Sequence, residues 1–390
     1  MKKLTVIAIL LALFSSCKKT GNDNNNSAST ITPPGGNVYK DLFDFNTQYG
    51  ENPYGALIII GKTLYGMTSA GGKNGDGNIF SINTDGTGFT DMHDFAGGNS
   101  DGASPNADLT LSGGLLYGMT RAGGANSEGT IFSINPDGTG FKILYTFGNS
   151  DAGGVYPGGN LTISGTTMYG MTSEGGDSGL GNIFSISTTG SNYANLFDFT
   201  STTGLYPGGS LVLSGTTLYG MVYLGGGPAN DGVVFSFNIG GKAYTKLHIF
   251  TGKDGANPDG SLVLSGNTLY GATNAGGADS SGNIFSVSTT GAGFTDLYDF
   301  NLNTGPAAPT ATLIINGNTL YGTTASGADI GGNVFSINTD GSGFKNLYGF
   351  NIGTYGSFPH GAVLLNNNIL YGITEAGGMN GDGTIFSLAL

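Results

Sequence analysis

The sequence predicts an all-β fold, a seven-bladed β-propeller of four-stranded antiparallel blades. A Tyr-Gly motif recurs seven times, at intervals of 50–52 residues. Each interval holds four short apolar segments separated by turn residues, and apolar spacing typical of helices is absent from the repeats. Four strands in about 50 residues match one propeller blade, and seven blades lie within the usual range of roughly four to eight. The motif copies begin at Tyr65, Tyr117, Tyr169, Tyr219, Tyr270, Tyr321 and Tyr371.

The second repeat shows the four predicted strands of a blade. They cover residues 109–111, 116–120, 130–134 and 141–147. The turn at Asp137-Gly138 separates the last two, and Asp-Gly between apolar runs is a strong hairpin signal. The turns after the first and third strands are tight, whereas the loop after the second strand and the loop between blades are long.

The two ends of the repeat region predict how the ring closes. The last repeat stops at Leu390 after only three strands. Residues 39–45 match residues 294–300, a fourth strand, almost position for position. We therefore expect the N-terminal strand to complete the last blade, which would also remove two open sheet edges.

Repeated aromatic residues mark the predicted core. One Phe follows in the third strand of each repeat and another ends most fourth strands, so large rings are expected to fill the space between blades. The Gly after each motif Tyr is expected to leave room for a ring of the adjacent blade. His93 and His248 replace the Tyr of a Leu-Tyr-Asp-Phe segment and are therefore interpreted as packing residues.

The N-terminus predicts export and lipid anchoring. Met1-Lys2-Lys3 precedes a short apolar run, and Cys17, the one cysteine of the chain, follows small residues. Residues 1–17 resemble a bacterial lipoprotein signal; the alternative is an ordinary signal peptide with an incidental Cys. Lipid on Cys17 would anchor the protein to the cell envelope, with the outer membrane expected and its side left open. Residues 18–37 are interpreted as a flexible tether and 38–390 as the propeller; Lys18-Lys19 resembles lipoproteins of Bacteroidota.

Composition excludes several functions. The net charge is −13 and Arg121 is the only arginine, so nucleic acid is not an expected partner. Without a second cysteine, Cys-His catalysis is excluded and a zinc cluster is not expected. The loop Asn74–Gly77 and its counterpart at 380–383 lack the ligand pattern of an EF-hand and are interpreted as turns. The sequence predicts no cofactor and no metal site.

The repeat motifs resemble a known family. Leu-Tyr-Gly-x-Thr, a Gly-Gly loop, Gly-Asn-Ile-Phe-Ser-Ile and Gly-x-Gly-Phe-x-x-Leu-Tyr-x-Phe are similar to the GloVer (Gloeo/Verruco) tandem repeat over residues 38–390. The resemblance implies a surface-anchored bacterial protein, for which a lipoprotein anchor would be one solution. It implies no activity.

Candidate site residues lie where the repeat stops repeating, in the long loops that a propeller presents on one face. The residue after each Met-Thr varies: Ser69, Arg121, Ser173, Tyr223, Asn274, Ala325 and Glu375. So does the residue before each inter-blade proline: Asn52, Ser104, Tyr156, Tyr206, Asn257, Ala308 and Phe358. Asp108, Asn160, Ser210 and Ser261 open four successive innermost strands, and His360 is the one histidine in an inter-blade loop.

These residues predict a binding module for a protein or an extracellular glycan. Aromatic rings such as Tyr156, Tyr206 and Phe358 would stack on sugar faces, beside polar groups that bind hydroxyls. The alternative is that the loop sequences vary because nothing constrains them, in which case this would be a structural surface protein without a discrete ligand. An enzyme is less expected; it would be a polysaccharide-active one using a carboxylate pair such as Asp108 with Glu375.

Overall fold

The fold is a ring of seven four-stranded antiparallel blades. The computed structural model describes residues 30–31, 37–148, 153–353 and 355–390, and these residues form strands and turns without a helix. A membrane-crossing helix is accordingly not found in the described part of the chain. The predicted signal and Cys17 lie outside the described residues, as does most of the predicted tether. The predicted fold class is confirmed.

Each blade runs from an innermost strand outward. Blade 1 consists of Ile58–Ile60, Thr63–Thr68, Asn78–Asn83 and Thr90–Asp94. Blades 2 and 3 consist of Thr110–Ser112, Leu115–Thr120, Thr130–Ile134 and Lys142–Thr146, and of Gly154–Ser164, Thr167–Gly175, Asn182–Ser187 and Ala194–Asp198. Blades 4 and 5 consist of Val212–Ser214, Thr217–Val222, Val233–Asn238 and Ala243–Ile249, and of Val263–Ser265, Thr268–Thr273, Asn283–Ser288 and Thr295–Asp299. Blades 6 and 7 consist of Ile314–Asn316, Thr319–Thr324, Asn333–Asn338 and Lys345–Gly349, and of Leu364–Asn366, Ile369–Thr374, Thr384–Ala389 and Val38–Asp44.

The N-terminal strand closes the ring as predicted. Val38–Asp44 pairs antiparallel with Thr384–Ala389, and Tyr39 lies opposite Leu388. A two-residue strand that was not predicted, Thr30–Ile31, then pairs with the outside of Val38–Asp44. It lies within the segment interpreted as a tether.

Seven apolar clusters fill the seven blade–blade interfaces. Between blades 4 and 5, for example, Met221 and Phe250 pack with Leu269 and Phe285, all of them buried. The Gly after each motif Tyr does make room for a ring, but the ring belongs to the same blade. A Cβ on Gly271 would lie 2.6 Å from Cζ of Phe285, its cross-strand partner. The expected ring of the adjacent blade was wrong, because the cross-strand Phe leans over the glycine.

A second aromatic layer joins the outer strands of neighbouring blades. At each of the seven interfaces, one flat ring stacks on another from the next blade. His93 stacks on Phe141 at 3.5 Å between centroids, and His248 stacks on Phe294 at 3.6 Å. Both histidines are therefore packing residues. The other five stacks are Phe43–Phe89, Tyr145–Tyr193, Phe197–Tyr244, Tyr298–Phe344 and Tyr39–Tyr348.

Every outer strand carries a β-bulge that the sequence reading missed. In blade 1, Ile79 pairs with His93 but Phe80 pairs with Asp91, so one extra residue is inserted between them. The insertion brings Asp91 and Asp94, three residues apart, to the same side of the strand. Equivalent carboxylate pairs occur in blade 7 and blade 5, as Asp41 with Asp44 and Asp296 with Asp299.

Candidate functional site: a central cavity on the long-loop face

The two long loops of each blade pair with one another, which places both on one face of the ring. In blade 1, Glu51 of the inter-blade loop pairs with Ala70, which follows the second strand. Blade 2 makes the same pairing between Gly102–Ala103 and Ala122–Gly123. The residues between this pairing and the innermost strand form the rim of the central channel.

The residue before each inter-blade proline joins two blades. All seven have a left-handed backbone with φ between 51° and 58°. In blade 5, Asn257 donates its N–H to the carbonyl of Asp231 in the preceding blade, and its own carbonyl accepts from Asn274. Asn tolerates this conformation, whereas Tyr, Phe and Ala do so at a cost of order 1–3 kcal/mol. The position is therefore structural as well as variable.

The residue after each of these prolines lines a central cavity of about 400 Å³. Its identity changes around the ring more than that of any packing position, and all seven blades contribute to the lining. From blade 1 to blade 7 the residues are Tyr54, Asn106, Gly158, Gly208, Asp259, Thr310 and His360. We call this set the rim.

His360 is the centre of a polar cluster within the rim. Its Nε2 lies 2.9 Å from Oε2 of Glu375, and its Nδ1 lies 3.3 Å from the hydroxyl of Thr310. The ring of Tyr54 stacks on the imidazole, with 4.8 Å between centroids and 12° between planes. Blades 6, 7 and 1 thus supply a flat surface with hydrogen-bonding groups at its edge.

The carboxylates of the cavity differ in electrostatic environment. The hydrogen bond from His360 lowers the pKa of Glu375, so this carboxylate stays ionised. Burial raises the pKa of Asp259, and the nearby His360 partly offsets that shift. Burial together with Asp259 and Glu375 raises the pKa of Tyr54 to about 12, so its hydroxyl remains a donor. In the next ring of residues, Arg121 lies 5.6 Å from the centre of the Tyr156 ring.

A belt of hydrogen bonds runs around the channel just below the rim. The backbone N–H at the start of one innermost strand donates to a side-chain oxygen of the next blade. Asp108 accepts from Ala56 at 2.5 Å, and Asn160 accepts from Asp108 at 2.7 Å. The belt continues from Asn160 to Ser210, from Ser210 to Ser261 and from Ser261 to Thr312. These bonds give Asp108 and Asn160 a role in joining blades.

The structure brings some of the predicted site residues to the cavity. Arg121, Asp108, Asn160 and His360 line it. Glu375 reaches it through His360, and Asp259 raises the pKa of Tyr223 after burial, which places Tyr223 nearby. Within the described residues, the lining does not include Asn274, Tyr206 or Phe358.

The sequence reading missed Tyr54, Asp259 and Thr310. The left-handed backbone at the residue before each proline turns the chain so that the residue after the proline, and not the one before it, reaches the channel. The signal that could have found them was the same variation, read one residue beyond the proline. The suggested pair of Asp108 with Glu375 has separate partners: Asn160 donates to Asp108, and His360 binds Glu375. Among the described residues, no group of three His, Cys, Asp or Glu side chains is placed to hold a metal.

Comparison with known proteins identifies the repeat. The model of the Gloeobacter/Verrucomicrobia repeat matches residues 12–230 and 222–390. The chain belongs to this repeat family. The expected GloVer resemblance is therefore confirmed, and this family member is a β-propeller. No curated protein matches the sequence.

Several solved structures share the fold of this family member at low identity. An oligogalacturonate lyase in complex with manganese is 11% identical, with a TM-score of 0.60 over 93% of this chain and 96% of that chain. The oligogalacturonate lyase of Vibrio parahaemolyticus is 12% identical, with a TM-score of 0.59 over 93% and 96%. The GH74 enzyme of Niastella koreensis is 16% identical, with a TM-score of 0.56 over 88% of this chain and 56% of that chain. At such identities the likeness concerns the fold alone.

Proposed function

We propose that this propeller binds a small carbohydrate in the central cavity of its long-loop face. The observation that carries the proposal is the Tyr54–His360 stack, held by Glu375 at the edge of a cavity of about 400 Å³. Tyr54 is 37% exposed, so one of the two rings remains available to a ligand. A flat ring beside hydrogen-bonding groups is the arrangement that suits a sugar, which has an apolar face and hydroxyl edges.

The charges of the cavity favour an uncharged ligand. Glu375 and Asp259 accept hydrogen bonds from hydroxyl groups, and Thr310 both donates and accepts. Arg121 is the one guanidinium of the chain, and Tyr156 lies beneath it. The surface as a whole is acidic, with a net charge of −13. Neutral hydroxyl-rich molecules therefore meet complementary groups without charge repulsion.

Two glycines give the ligand space. Gly158 and Gly208 occupy the rim positions of blades 3 and 4, where other blades carry side chains. A Cβ on Gly208 would meet only Oδ1 of Asp259, at 3.6 Å, an ordinary contact. Gly208 can therefore be replaced by a large residue that fills the cavity while the backbone stays unchanged.

The test is calorimetric titration of the purified protein with oligosaccharides first found on a glycan array. Tyr54→Ala removes the stacking surface and Gly208→Tyr fills the cavity, and each is expected to weaken binding at least about 10-fold, equivalent to ~1.4 kcal/mol. Tyr206→Ala is the matched control, because this Tyr is exposed and lies outside the cavity lining. Binding that survives both cavity variants would place the site elsewhere. An absence of glycan binding would favour a protein partner or a purely structural role.

A polysaccharide-active enzyme is the second candidate. The observation in its favour is the His360–Glu375 pair, in which the imidazole lines the cavity and an ionised carboxylate lies 2.9 Å behind it. Such a pair can move a proton to or from a bound sugar. Structures of similar fold include oligogalacturonate lyases, although the likeness itself shows no activity. Product release from a panel of polysaccharides, lost in His360→Asn while binding persists, would establish catalysis.

We also propose that the protein is exported and lipid-anchored through Cys17. The support is the basic start, the short apolar run and the single cysteine. Mass spectrometry of the mature protein tests this proposal. We expect an N-terminal diacylglyceryl cysteine at Cys17, and an unmodified Cys17 or cleavage elsewhere would contradict the anchor.

A further inference from the structure

Large apolar side chains are exposed along one stretch of the outer edge of the long-loop face. Met379 in blade 7 is 70% exposed, and Ile330 in blade 6 is 66% exposed. Further large apolar side chains are exposed in the loops that leave the outer strands of blades 5, 6 and 7. We call the whole set the apolar edge; in order around the ring it consists of Leu302, Ile330, Ile352, Tyr355, Met379 and Tyr49.

Contacts place three of these residues around the outer strand of blade 7. The N–H of Met379 donates to Oδ1 of Asp44 at 2.9 Å, where that strand ends. The hydroxyl of Tyr39, on the same strand, donates to the carbonyl of Tyr355 at 2.7 Å. Tyr49 follows the strand, in the loop toward blade 1. The three residues therefore surround the end of this strand on the long-loop face.

The other three residues continue this stretch through blade 6 to blade 5. Gly331, next to Ile330, donates its N–H at 3.0 Å to the carbonyl of Phe350, which directly follows the outer strand of blade 6. Ile352 lies two residues further along the chain. Leu302 holds the equivalent place after the outer strand of blade 5. The apolar edge is therefore continuous around about a third of the ring.

Other blades carry small or polar residues at these positions. Asp177 of blade 3 matches Met379, because its N–H likewise donates to the carboxylate at the end of its outer strand. Lys73 and Ala278 hold the same position in blades 1 and 5. Among the described residues, Ile249 in blade 4 is the one comparable side chain on the rest of this edge. The fold does not require apolar residues here, and their clustering indicates a contact surface.

The direction of the N-terminal strand indicates what covers the apolar edge. Thr30–Ile31 runs antiparallel to the outer strand of blade 7, with Thr30 opposite Lys40. Its N-terminal end therefore points toward the long-loop face, since the outer strand ends on that face at Asp44. The twelve residues between Cys17 and Thr30 can span at most about 45 Å. A lipid on Cys17 would thus hold a membrane near blade 7, where the apolar edge lies.

We propose that the apolar edge lies in contact with the lipid bilayer to which Cys17 is anchored. This inference rests on the proposed lipid anchoring and adds a second contact, made by the propeller itself. Aliphatic side chains are stabilised at the boundary between headgroups and acyl chains, and exposed tyrosines suit the level of the headgroups. The apolar edge contains both kinds of residue.

The charges beside the apolar edge favour a neutral bilayer. Asp329 precedes Ile330, and Asp382 lies three residues after Met379. These carboxylates would repel anionic headgroups. A zwitterionic phospholipid such as phosphatidylcholine is therefore the expected partner, and added anionic lipid is not expected to strengthen the contact.

Contact at blades 6 and 7 leaves the central cavity accessible. In a ring of seven blades, blades 3 and 4 lie opposite blade 7. Their rim positions are Gly158 and Gly208, which carry no side chain. The open side of the rim therefore faces away from the bilayer.

The test measures which side of the propeller meets lipid. The full-length lipidated protein is reconstituted in phosphatidylcholine vesicles that contain doxyl-labelled phosphatidylcholine as a quencher. One fluorophore is attached through Met379→Cys or, as the matched control, through Asp177→Cys at the equivalent exposed position of blade 3. We expect quenching at position 379 to be at least about 3-fold stronger than at position 177, and phosphatidylglycerol should not increase it.

A second variant shows whether the apolar edge makes the contact. Leu302→Ser, Ile330→Ser and Ile352→Ser are combined in the protein labelled through Met379→Cys. Quenching should fall to the level of the Asp177→Cys control, because three of the side chains that enter the lipid are removed. The unfolding temperature should not change, since all three side chains are more than half exposed.

Each outcome separates this inference from the proposed anchor. Equal quenching at the two positions, with lipid on Cys17 shown by mass spectrometry, would overturn the bilayer contact while the anchor stands. Quenching that survives the triple serine variant would mean that the fluorophore itself inserts, and would also overturn it. Energy transfer between labelled copies without quenching by lipid would assign the apolar edge to a second copy of the chain. An unmodified Cys17 would overturn the anchor and this inference together.

Discussion

The outer and inner parts of the blades differ in how strictly they repeat. At the outer strands, all seven interfaces stack one flat ring on another, and only His93 and His248 depart from Phe or Tyr in this layer. At the rim, seven equivalent positions carry six residue types, from glycine to tyrosine. The outer position has to fill the same space in every blade, whereas the rim position faces the cavity. Repetition therefore marks packing and its loss marks the candidate site.

Removing a repeated core ring should produce the largest loss of stability. Phe285 is fully buried and contacts the rings of Phe250 and Phe294. We expect Phe285→Ala to lower the free energy of unfolding by about 3–5 kcal/mol, through lost burial and a cavity that cannot collapse. Asn106→Ala at the rim should cost no more than ~0.5 kcal/mol. Urea unfolding of both variants measures the difference, and comparable losses would remove the distinction between core and rim.

The carboxylate pair of blade 7 should give the next largest effect. Asp41 is 8% exposed, and its Oδ1 has no hydrogen-bond partner among the described residues. Burial, and then the charge of Asp44, raise the pKa of Asp41 from its ordinary value of 3.8 to about 7. The folded protein therefore keeps a proton that the unfolded chain releases. This contribution to stability is complete below pH 3.8 and is lost as the pH rises through about 7.

Asp41→Asn should raise stability at pH 8 by ~2 kcal/mol and have little effect at pH 4. Blade 3 already has an asparagine at the position equivalent to Asp41: Asn195 donates from its Nδ2 to Oδ1 of Asp198 at 2.8 Å. Urea unfolding of wild type and variant from pH 4 to pH 8 gives the comparison. A loss of stability at pH 8 would mean that both carboxylates are needed ionised, as around a bound cation, and would contradict the proton retained on Asp41.

The fold was predictable from the sequence because packing requirements repeat seven times. The period, the four strands and the closure by residues 39–45 all follow from patterns of apolar and turn residues that recur in every repeat. The bulge in each outer strand was not predictable, because it inserts one residue without a glycine or proline to mark it. Its consequence, the pairing of Asp91 with Asp94, was missed with it.

The candidate site was only partly predictable, for a geometric reason. Variation identified the right loops, and Arg121 and His360 do line the cavity. Which of the two residues flanking the proline points inward depends on the backbone conformation of the first of them. A φ of 58° at Phe358, a residue that disfavours such values, could not be read from its identity. Asp108 and Asn160 also looked like free polar groups because their partners are backbone N–H groups of other blades.

Exchanging residues at the left-handed position tests how much backbone strain costs there. Tyr206 has φ of 54° and is 43% exposed, while Asn257 holds the same position at 55° in blade 5. We expect Tyr206→Asn to raise the free energy of unfolding by ~1 kcal/mol and Asn257→Tyr to lower it by a similar amount, since Asn tolerates this conformation. Thermal unfolding of the two variants tests this. Changes of the same sign in both would mean that side-chain contacts, and not backbone strain, decide the position.

The smallest effect concerns a histidine in the aromatic layer. Burial lowers the pKa of His248, and the attraction of Asp254, 3.0 Å away, only partly offsets that shift. The unfolded chain therefore takes up a proton near pH 6.5 that the folded protein resists. Stability from this site is complete above that pH and falls as the pH is lowered through it.

His248→Tyr should remove this dependence, because Tyr298 makes the equivalent stack on Phe344 without titrating in this range. Between pH 7 and pH 5, we expect wild type to lose ~0.5 kcal/mol more than the variant, as judged by urea unfolding at both values. If wild type instead gained stability on acidification, attraction to Asp254 would outweigh burial, and the ion pair would hold these two blades together. The outer layer would then contain a charged contact at one interface, and its uniformity would be one of shape and not of chemistry.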